Sequence, residues 1–176
     1  MPLVRYATGG YICTSPFPYD GIFRRAVLNF KFHNCGAYAE LLSHEMVRSI
    51  KDVYRDREFD LVTCVPMHKD TLRKRGYNQA ELLAKECARI LGIEYADLLV
   101  KTKKNKTQHS IKAAERAKNV IGVYSPIDKN LIKGKRILII DDIITTGSTL
   151  GECARILNKC KCGEICCCTL CTSLLI

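Results

Sequence analysis

The sequence predicts an α/β fold in which helices flank a mainly parallel central sheet. Residues 137–140 are four consecutive aliphatic side chains, and a strand with such a run is covered on both faces, as in a parallel sheet between helices. Strand and helix patterns alternate along the chain, which also favours this class. The length of 176 residues suits one domain with a substantial core, so we expect residues 1–176 to form a single domain.

The first part of the chain predicts two helices and then a strand. Asp20 can cap a helix whose apolar residues continue to Phe30. In residues 37–54 the apolar positions recur at helical spacing, which predicts the second helix. Residues 60–66 form a short apolar run that ends in proline, which is typical of a buried strand.

The rest of the chain predicts a capped helix, the aliphatic strand, and then another helix and strand. Asn78 is a suitable helix N-cap, because Glu81 follows three residues later, and Gly92 marks the end of that helix. The aliphatic strand covers residues 136–140. A loop and a helix follow it, and residues 164–172 form the last strand.

The formal net charge of +10 suits an anionic partner, which the charge alone leaves open between nucleic acid, a membrane surface and a polyphosphate metabolite. Part of the excess lies in residues 101–118, which form either a solvated surface or a mobile loop that closes over phosphates. No apolar run reaches the roughly 18 residues needed to cross a bilayer, and the first residues do not resemble a secretory signal. We therefore expect a cytoplasmic protein without membrane insertion.

The eleven cysteines are expected to be free thiols, mostly in the core. Seven of them lie in residues 153–171, and residues 166–168 are all cysteine. Neighbouring strand residues point to opposite faces and do not bridge easily, so we expect small buried hydrophobic side chains rather than disulfides. A metal site at Cys160 and Cys162 is the less favoured alternative, because structural zinc usually takes paired cysteines on turns.

The most informative segment is residues 140–149, where a strand ends and a helix begins. Ligands of open parallel sheets bind at the carboxyl ends of the strands, and this loop lies there. Its glycine allows the backbone to approach a ligand closely, while its amides, its hydroxyls and the helix N-terminus can bind a phosphate. The predicted phosphate-binding residues are Thr145, Thr146, Gly147, Ser148 and Thr149.

Asp141 and Asp142 stand between that strand and the loop. Their carboxylates can accept hydrogen bonds from sugar hydroxyls, and they can orient Mg²⁺ through water, since this cation prefers oxygen ligands. The loop is neither a P-loop nor a Rossmann fingerprint, because it lacks Gly-Lys-Ser/Thr and has a single glycine. A phosphate beside a diol describes a ribose 5-phosphate. The alternative is a strand end with solvated carboxylates and a polar helix cap.

Residues 140–149 closely resemble the phosphoribosyl pyrophosphate (PRPP) motif of the type I phosphoribosyltransferases. More of the chain is similar to one branch, the ComF family of competence-associated, amidophosphoribosyltransferase-like proteins. The similar stretches are residues 26–32, 65–68, 73–79, 107–108 and 116–120. This resemblance implies a type I phosphoribosyltransferase fold, in which a mainly parallel sheet carries a small hood region.

The resemblance also implies how pyrophosphate is bound. The loop after residues 65–66 would be the pyrophosphate loop, and residues 101–118 would be the mobile hood over the site. The residues that would contact pyrophosphate are Met67, His68, Lys69, Arg73 and Arg75. For the two arginines the alternative is an exposed basic helix start, and for the histidine it is a plain loop role.

The implied reaction is a Mg²⁺-dependent transfer of the ribose 5-phosphate of PRPP to a nitrogen nucleophile, with release of pyrophosphate. Asp141 and Asp142 would stabilise the cation that develops on ribose, and Arg73 and Arg75 would stabilise the pyrophosphate. Thr145 stands where purine-salvage relatives carry an aspartate, which favours an orotate- or amido-like pattern.

A function from another class is the rival interpretation: a non-catalytic module that senses PRPP or assists a DNA-uptake machinery. A nucleic-acid binder that merely keeps the fold ranks last, because the sequence lacks an interleaved aromatic and basic signature. Many relatives begin with a zinc ribbon, and its paired Cys-x-x-Cys motifs do not occur before Tyr19. The sequence leaves open the nitrogen acceptor and whether the protein forms a homodimer.

Overall fold

The computed structural model describes residues 1–32, 36–103 and 120–173. Its strands are β1 (Leu3–Ala7), β2 (Tyr11–Ser15), β3 (Phe17–Pro18), β4 (Leu61–Cys64), β5 (Glu94–Tyr95), β6 (Leu99–Lys101), β7 (Tyr124–Pro126), β8 (Arg136–Ile144) and β9 (Glu164–Thr172). Its helices are α1 (Gly21–Phe32), α2 (Gly36–Val53), α3 (Lys69–Arg75), α4 (Gln79–Leu91), α5 (Lys129–Ile132) and α6 (Ser148–Lys159).

A seven-stranded sheet forms the centre of the fold, in the order β1-β2-β9-β8-β4-β5 with β3 also paired to β9. β1 and β2 are antiparallel, and the other described pairs in this sheet are parallel. β6 and β7 pair separately as a short antiparallel ribbon. The prediction of an α/β fold with a mainly parallel sheet is therefore confirmed.

β8 and β9 lie in the middle of the sheet and are buried on both faces. The four aliphatic side chains of residues 137–140 are fully buried. This agrees with the prediction that four consecutive aliphatic residues form a strand covered on both faces. Cys166 and Cys168 pack with α2 and α4 in the core on one face, whereas Cys167 packs with α6 on the other. Because successive strand residues alternate in direction, three adjacent cysteines fill both halves of the core.

The helices follow the local signals in the sequence closely. α4 begins after Asn78, whose side chain accepts a hydrogen bond from the Ala80 amide at 3.2 Å, and it ends before Gly92. The two helices predicted in the first part of the chain are α1 and α2, and the predicted last strand is β9. These elements carry strong apolar periodicity or clear caps, so neighbouring residues suffice to define them.

Two features of the sheet differ from the prediction. β8 continues beyond Ile140 to Ile144, because β9 pairs with it as far as Thr172. Asp141 and Asp142 therefore lie within a strand rather than after it. The hairpin of β1 and β2 is not predicted from the sequence, because its apolar residues do not alternate regularly with polar ones.

Most of the predicted hood lies outside the described residues, which resume at residue 120. This also applies to the family-like stretches at residues 107–108 and 116–119. Residues 101–103 are described, and the first of them, Lys101, ends β6. Within the described ranges, no helix is both long enough and apolar enough to cross a membrane.

Candidate functional site

A cleft of about 260 Å³ opens at the carboxyl ends of β4 and β8. This is the position at which open parallel sheets bind ligands. The predicted site residues that line the cleft are Met67, His68, Arg75, Asp141, Asp142 and Thr149. Residues from all three predicted segments, namely the turn after β4, the basic stretch and the loop after β8, therefore meet at one place.

The two aspartates form the acidic wall of the cleft. Both are half-buried, and the Asp142 amide donates a hydrogen bond to Asp141 Oδ1 at 2.8 Å. Pairing between β4 and β8 ends at Cys64 and Ile140, so β8 continues past the end of β4 while it stays paired with β9 on its other side. This overhang lets both carboxylates border the cleft although they are adjacent on one strand.

The loop after β8 is only partly in contact with the cleft. Of its five predicted phosphate-binding residues, Thr149 lines the cleft, and the other four are not among the described lining residues. Thr145 is exposed, while the Thr146 and Ser148 hydroxyls lie 2.9 Å apart, and Gly147 and Ser148 are buried. The first turn of α6 nevertheless begins at this loop, so its amides are placed for an anion next to Thr149.

The hairpin of β1 and β2 packs directly against this loop. The Thr8 amide donates to the Gly147 carbonyl at 3.2 Å, and the Arg5 guanidinium donates to the Thr145 carbonyl at 3.5 Å. A Cβ on Gly147 would lie 2.7 Å from the Cα of Ala7, and the residue has a φ of 73°. The sequence predicts that this glycine lets the backbone turn tightly and approach a ligand, and in the described structure a neighbouring strand also packs against it.

Another part of the cleft lining comes from the turn after β4 and from α3. His68 caps α3, because its Nδ1 accepts a hydrogen bond from the Asp70 amide at 3.2 Å. The basic residues 73–75 lie in the last turn of this helix and not at its start. Positive charge in the last turn complements the helix dipole. Gly76 then ends the helix with a φ of 86°.

Arg75 faces the cleft, whereas Arg73 does not. The guanidinium of Arg75 donates to Gln79 Oε1 at 2.9 Å, and both residues line the cleft. Arg73 and Lys69 are exposed and are not among the described lining residues. Residues two apart in a helix point about 200° apart, so the two arginines cannot face the same wall.

The ribbon of β6 and β7 adds Lys101, the first residue of the predicted hood, and Tyr124, which the sequence did not indicate. Lys101 and Tyr124 line the cleft, and the lysine Nζ lies 5.4 Å from the centre of the tyrosine ring. Burial lowers the pKa of Lys101, although the negative charge of Asp141 acts in the opposite direction. Burial also raises the pKa of Tyr124. A partly desolvated ammonium group thus borders the cleft near an aspartate.

The donor set of the cleft fits a magnesium ion that arrives with a phosphate ligand. The described residues contain no group of three or more His, Cys, Asp or Glu side chains that could hold a metal. Asp141 and Asp142 supply two half-buried carboxylates. Mg²⁺ is commonly bound by one or two carboxylates, with water and substrate phosphates as its other ligands. The two aspartates are the residues that would hold it here.

Comparison with known proteins identifies the family. The sequence profile of the phosphoribosyl transferase domain matches residues 78–174, which is more than half of the chain. The chain belongs to the phosphoribosyl transferase domain family. The match includes both α4 and the acidic wall, so it covers residues on two sides of the cleft.

The relatives belong to the ComF branch. The chain is 33% identical over 144 residues to competence protein F of Haemophilus influenzae, which covers 79% of this chain and 63% of that protein. It is 30% identical over 152 residues to competence protein ComFC of Bacillus subtilis, which covers 86% of this chain and 60% of the relative. It is also 30% identical over 101 residues to the DNA utilization protein YhgH of Escherichia coli, with coverage of 57% and 44%. The chain thus spans three fifths or less of the length of two of these relatives, and 63% of the third.

Solved structures confirm the type I phosphoribosyltransferase fold. Glutamine phosphoribosylpyrophosphate amidotransferase from Bacillus subtilis, complexed with ADP and GMP, superposes with a TM-score of 0.53 at 18% identity. The superposition covers 80% of this chain and 30% of that one. An allosteric regulatory enzyme of purine biosynthesis gives a TM-score of 0.51 at 19% identity, with coverage of 80% and 29%.

Proposed function

We propose that the chain is a Mg²⁺-dependent phosphoribosyltransferase that binds PRPP in the cleft and transfers its ribose 5-phosphate to a nitrogen nucleophile. The observation that carries this proposal is that acidic and basic side chains line the same cleft. Asp141 and Asp142 line it together with Arg75, which comes from α3. A molecule with a hydroxyl-bearing sugar and a pyrophosphate carries groups that complement both kinds of side chain.

The phosphate of the sugar is assigned to the start of α6. Thr149 contributes its hydroxyl from the cleft wall, and the loop residues 145–148 contribute backbone amides and neighbouring hydroxyls. The helix N-terminus carries partial positive charge, which favours an anion. The ribose hydroxyls then lie against Asp141 and Asp142, whose carboxylates accept hydrogen bonds from them.

The pyrophosphate is assigned to the turn after β4 and to α3. Arg75 can bind two phosphate oxygens at once through its planar guanidinium, and Met67 and His68 border the same space. Lys69 and Arg73 are exposed on the same helix. From there they contribute positive charge over a longer distance rather than a direct contact in the cleft.

The transfer breaks the bond between ribose C1 and the pyrophosphate oxygen, and the lone pair of the nitrogen acceptor forms the new bond to C1. Negative charge grows on the pyrophosphate, where Arg75 stabilises it, and positive charge grows on the ribose, where the aspartates stabilise it. Bound Mg²⁺ would neutralise part of the pyrophosphate charge. Thr145 provides no carboxylate for a base proton, so the acceptor fits an amido- or orotate-like pattern better than purine salvage.

Calorimetry with PRPP and Mg²⁺ tests the binding step. The double substitution Asp141→Asn with Asp142→Asn is expected to weaken PRPP binding by about a hundredfold or more, because two charged acceptors are lost. The matched control is Asp52→Asn with Asp56→Asn, which alters two exposed aspartates that are not among the lining residues. Unchanged affinity in the first variant would show that the aspartates do not bind PRPP.

A pyrophosphate-release assay tests the chemical step. The wild-type chain with PRPP and Mg²⁺ is given ammonia, glutamine, orotate or a purine base in turn. Release that depends on ammonia, glutamine or orotate supports the proposed acceptor class, whereas release that depends on a purine base contradicts the argument from Thr145.

The names of the relatives favour a second candidate, a non-catalytic module that binds PRPP and acts with a DNA-uptake machinery. Those relatives are named for competence and for DNA utilization, and the present chain carries a net charge of +10. Binding of PRPP without pyrophosphate release for any acceptor would favour this candidate. DNA binding, if it contributes, should weaken steeply as salt is raised, because phosphate contacts release counterions.

A further inference from the structure

A chain of polar groups, buried at Asn78 and Cys64, runs behind the turn at residues 65–68, which lines the cleft. The Asn78 side chain is 7% exposed, and its Nδ2 donates to the Val65 carbonyl at 3.1 Å. The same Nδ2 lies 3.8 Å from Cys64 Sγ. Cys64 Sγ lies 3.4 Å from the Tyr95 hydroxyl, which donates to Asp97 Oδ1 at 2.5 Å. The path leads from the cleft, through the end of β4, to an exposed carboxylate.

The orientation of the Asn78 amide is determined by its own helix. Its Oδ1 accepts the hydrogen bond from the Ala80 amide, so its NH₂ group must face Val65 and Cys64. A rotation of the amide by half a turn would set NH₂ against the Ala80 N–H and lose the cap. Val65 itself lines the cleft, so this hydrogen bond ties the start of α4 to the turn.

The hydrogen bonds of the chain can run in a single direction only. The Tyr95 hydroxyl gives its proton to Asp97, so it can only accept from the Cys64 thiol. Burial raises the pKa of Cys64 to about 12, so the thiol keeps the proton that it donates. The thiol sulfur in turn accepts from Asn78. Such a chain is satisfied at each link, and removing one member leaves a buried neighbour without its partner.

We infer that Tyr95 and Asn78 are positioning residues for PRPP: through Cys64 and the Val65 carbonyl they hold the turn at residues 65–68, which lines the cleft and leads into α3. Asn78 borders the cleft itself, whereas Tyr95 acts only through Cys64. This inference rests on the proposed function, because it names residues that prepare the same site for the pyrophosphate group.

Two substitutions test the chain, and a third is a matched control. Asn78→Ser keeps a helix-capping hydroxyl but loses the donor to Val65, and we expect it to raise the Kd of PRPP about tenfold. Tyr95→Phe removes only the hydroxyl, and we expect a rise of about threefold. The control is Tyr54→Phe, which removes a hydroxyl that donates to the Ile12 and Cys167 carbonyls away from the cleft. It should lower the melting temperature and leave the Kd unchanged.

A double-mutant cycle tests whether Tyr95 acts through Cys64. Once Cys64→Ala has cut the chain, adding Tyr95→Phe should change the Kd of PRPP no further. Independent effects of the two substitutions would overturn the relay. Equal Kd values for the wild type, Asn78→Ser and Tyr95→Phe would overturn the positioning role as a whole.

Hydrogen exchange separates the failure of this inference from that of the proposed function. The amides of Thr71 and Leu72 donate to the His68 carbonyl, so their exchange reports whether the turn and α3 are held in place. Asn78→Ser and Tyr95→Phe should speed exchange in residues 69–72, and Tyr54→Phe should not. If this occurs while the wild type fails to bind PRPP, the proposed function is wrong but the chain still positions the turn. Unchanged exchange in both variants would refute the positioning role without reference to PRPP.

Discussion

Two loops meet at the carboxyl edge of the sheet, and they are held in different ways. The loop at residues 145–149 is held by backbone contacts, because the β1–β2 hairpin packs on Gly147 and donates to its carbonyl. The turn at residues 65–68 is held by a side chain, since Asn78 donates to the Val65 carbonyl. The first arrangement depends on the absence of a Cβ, and the second on the presence of an amide.

This difference predicts which kinds of change each loop tolerates. A loop that is held by backbone contacts should tolerate polar substitutions nearby, but it should be destabilised by a side chain added at its glycine. A loop that is held by a side chain from elsewhere should be destabilised when that one hydrogen-bond donor is lost. Substitutions of the loop's own side chains should have smaller effects. The following experiments test this contrast, beginning with the largest expected effect.

Gly147→Ala should be the most damaging of these changes. The new methyl group would lie 2.7 Å from the Ala7 Cα on a residue with a φ of 73°, so both packing and backbone conformation oppose it. We expect a loss of about 3 kcal/mol in the free energy of unfolding, measured with urea. Gly76→Ala is the control, because its φ is 86° but no atom lies within 4 Å of the added Cβ. It should cost about 1 kcal/mol, and equal losses would mean that the hairpin does not constrain the loop.

Arg75→Ala should weaken PRPP binding by about thirtyfold, because a charged hydrogen bond to pyrophosphate is lost from the cleft wall. Arg73→Ala removes the same charge two residues away, on an exposed part of α3. We expect a change of less than about threefold for this variant. Calorimetry at one salt concentration compares them, and a larger loss for Arg73→Ala would reverse the assigned orientation of the helix.

PRPP affinity should fall as the pH rises from neutrality toward the ordinary lysine pKa of 10.5. Burial lowers the pKa of Lys101, so its ammonium group loses its proton at a lower pH than an exposed lysine does. The protonated form attracts pyrophosphate, and binding is therefore strongest below the lowered pKa. In Lys101→Arg the alkaline fall should disappear, because arginine stays charged. A fall that is the same in both proteins would exclude Lys101 as its cause.

Arg5→Ala should have the smallest effect. Its guanidinium donates to the carbonyls of Thr145 and Ser173, but the hairpin still packs against Gly147 without it. We expect a loss of about 1 kcal/mol in the free energy of unfolding and a rise of about twofold in the Kd of PRPP. A tenfold rise in the Kd would show that a side chain, rather than backbone packing, holds this loop.

The parallel core could be predicted because its signals are local. The aliphatic run of residues 137–140 and the Asn78 cap each define their element without distant contacts. The end of β8 could not be predicted in this way, since two aspartates resemble a strand end and the continued pairing comes from β9. For the β1–β2 hairpin, the available signal is the pair Gly9-Gly10 between two runs that favour strands.

The sequence predicted the part of the candidate site that lies within the motif at residues 140–149. The motif placed Asp141 and Thr149 on the cleft, where the structure also has them. Tyr124 could not be found, because it reaches the cleft through the pairing of two three-residue strands that are far apart in sequence. The different placement of Arg73 and Arg75 follows from helical geometry once the boundaries of α3 are known.

The cysteines of β9 allow the opening of the central sheet to be measured by the rate of thiol labelling. Burial raises the pKa of Cys167 and Cys168 well above the ordinary value, so almost none of the reactive thiolate is present in the folded chain. An alkylating reagent can reach these thiols when the central strands separate. The rate at which they become labelled therefore measures how often the sheet comes apart, and the same reading taken with PRPP present would show how far a ligand at the strand ends slows that event.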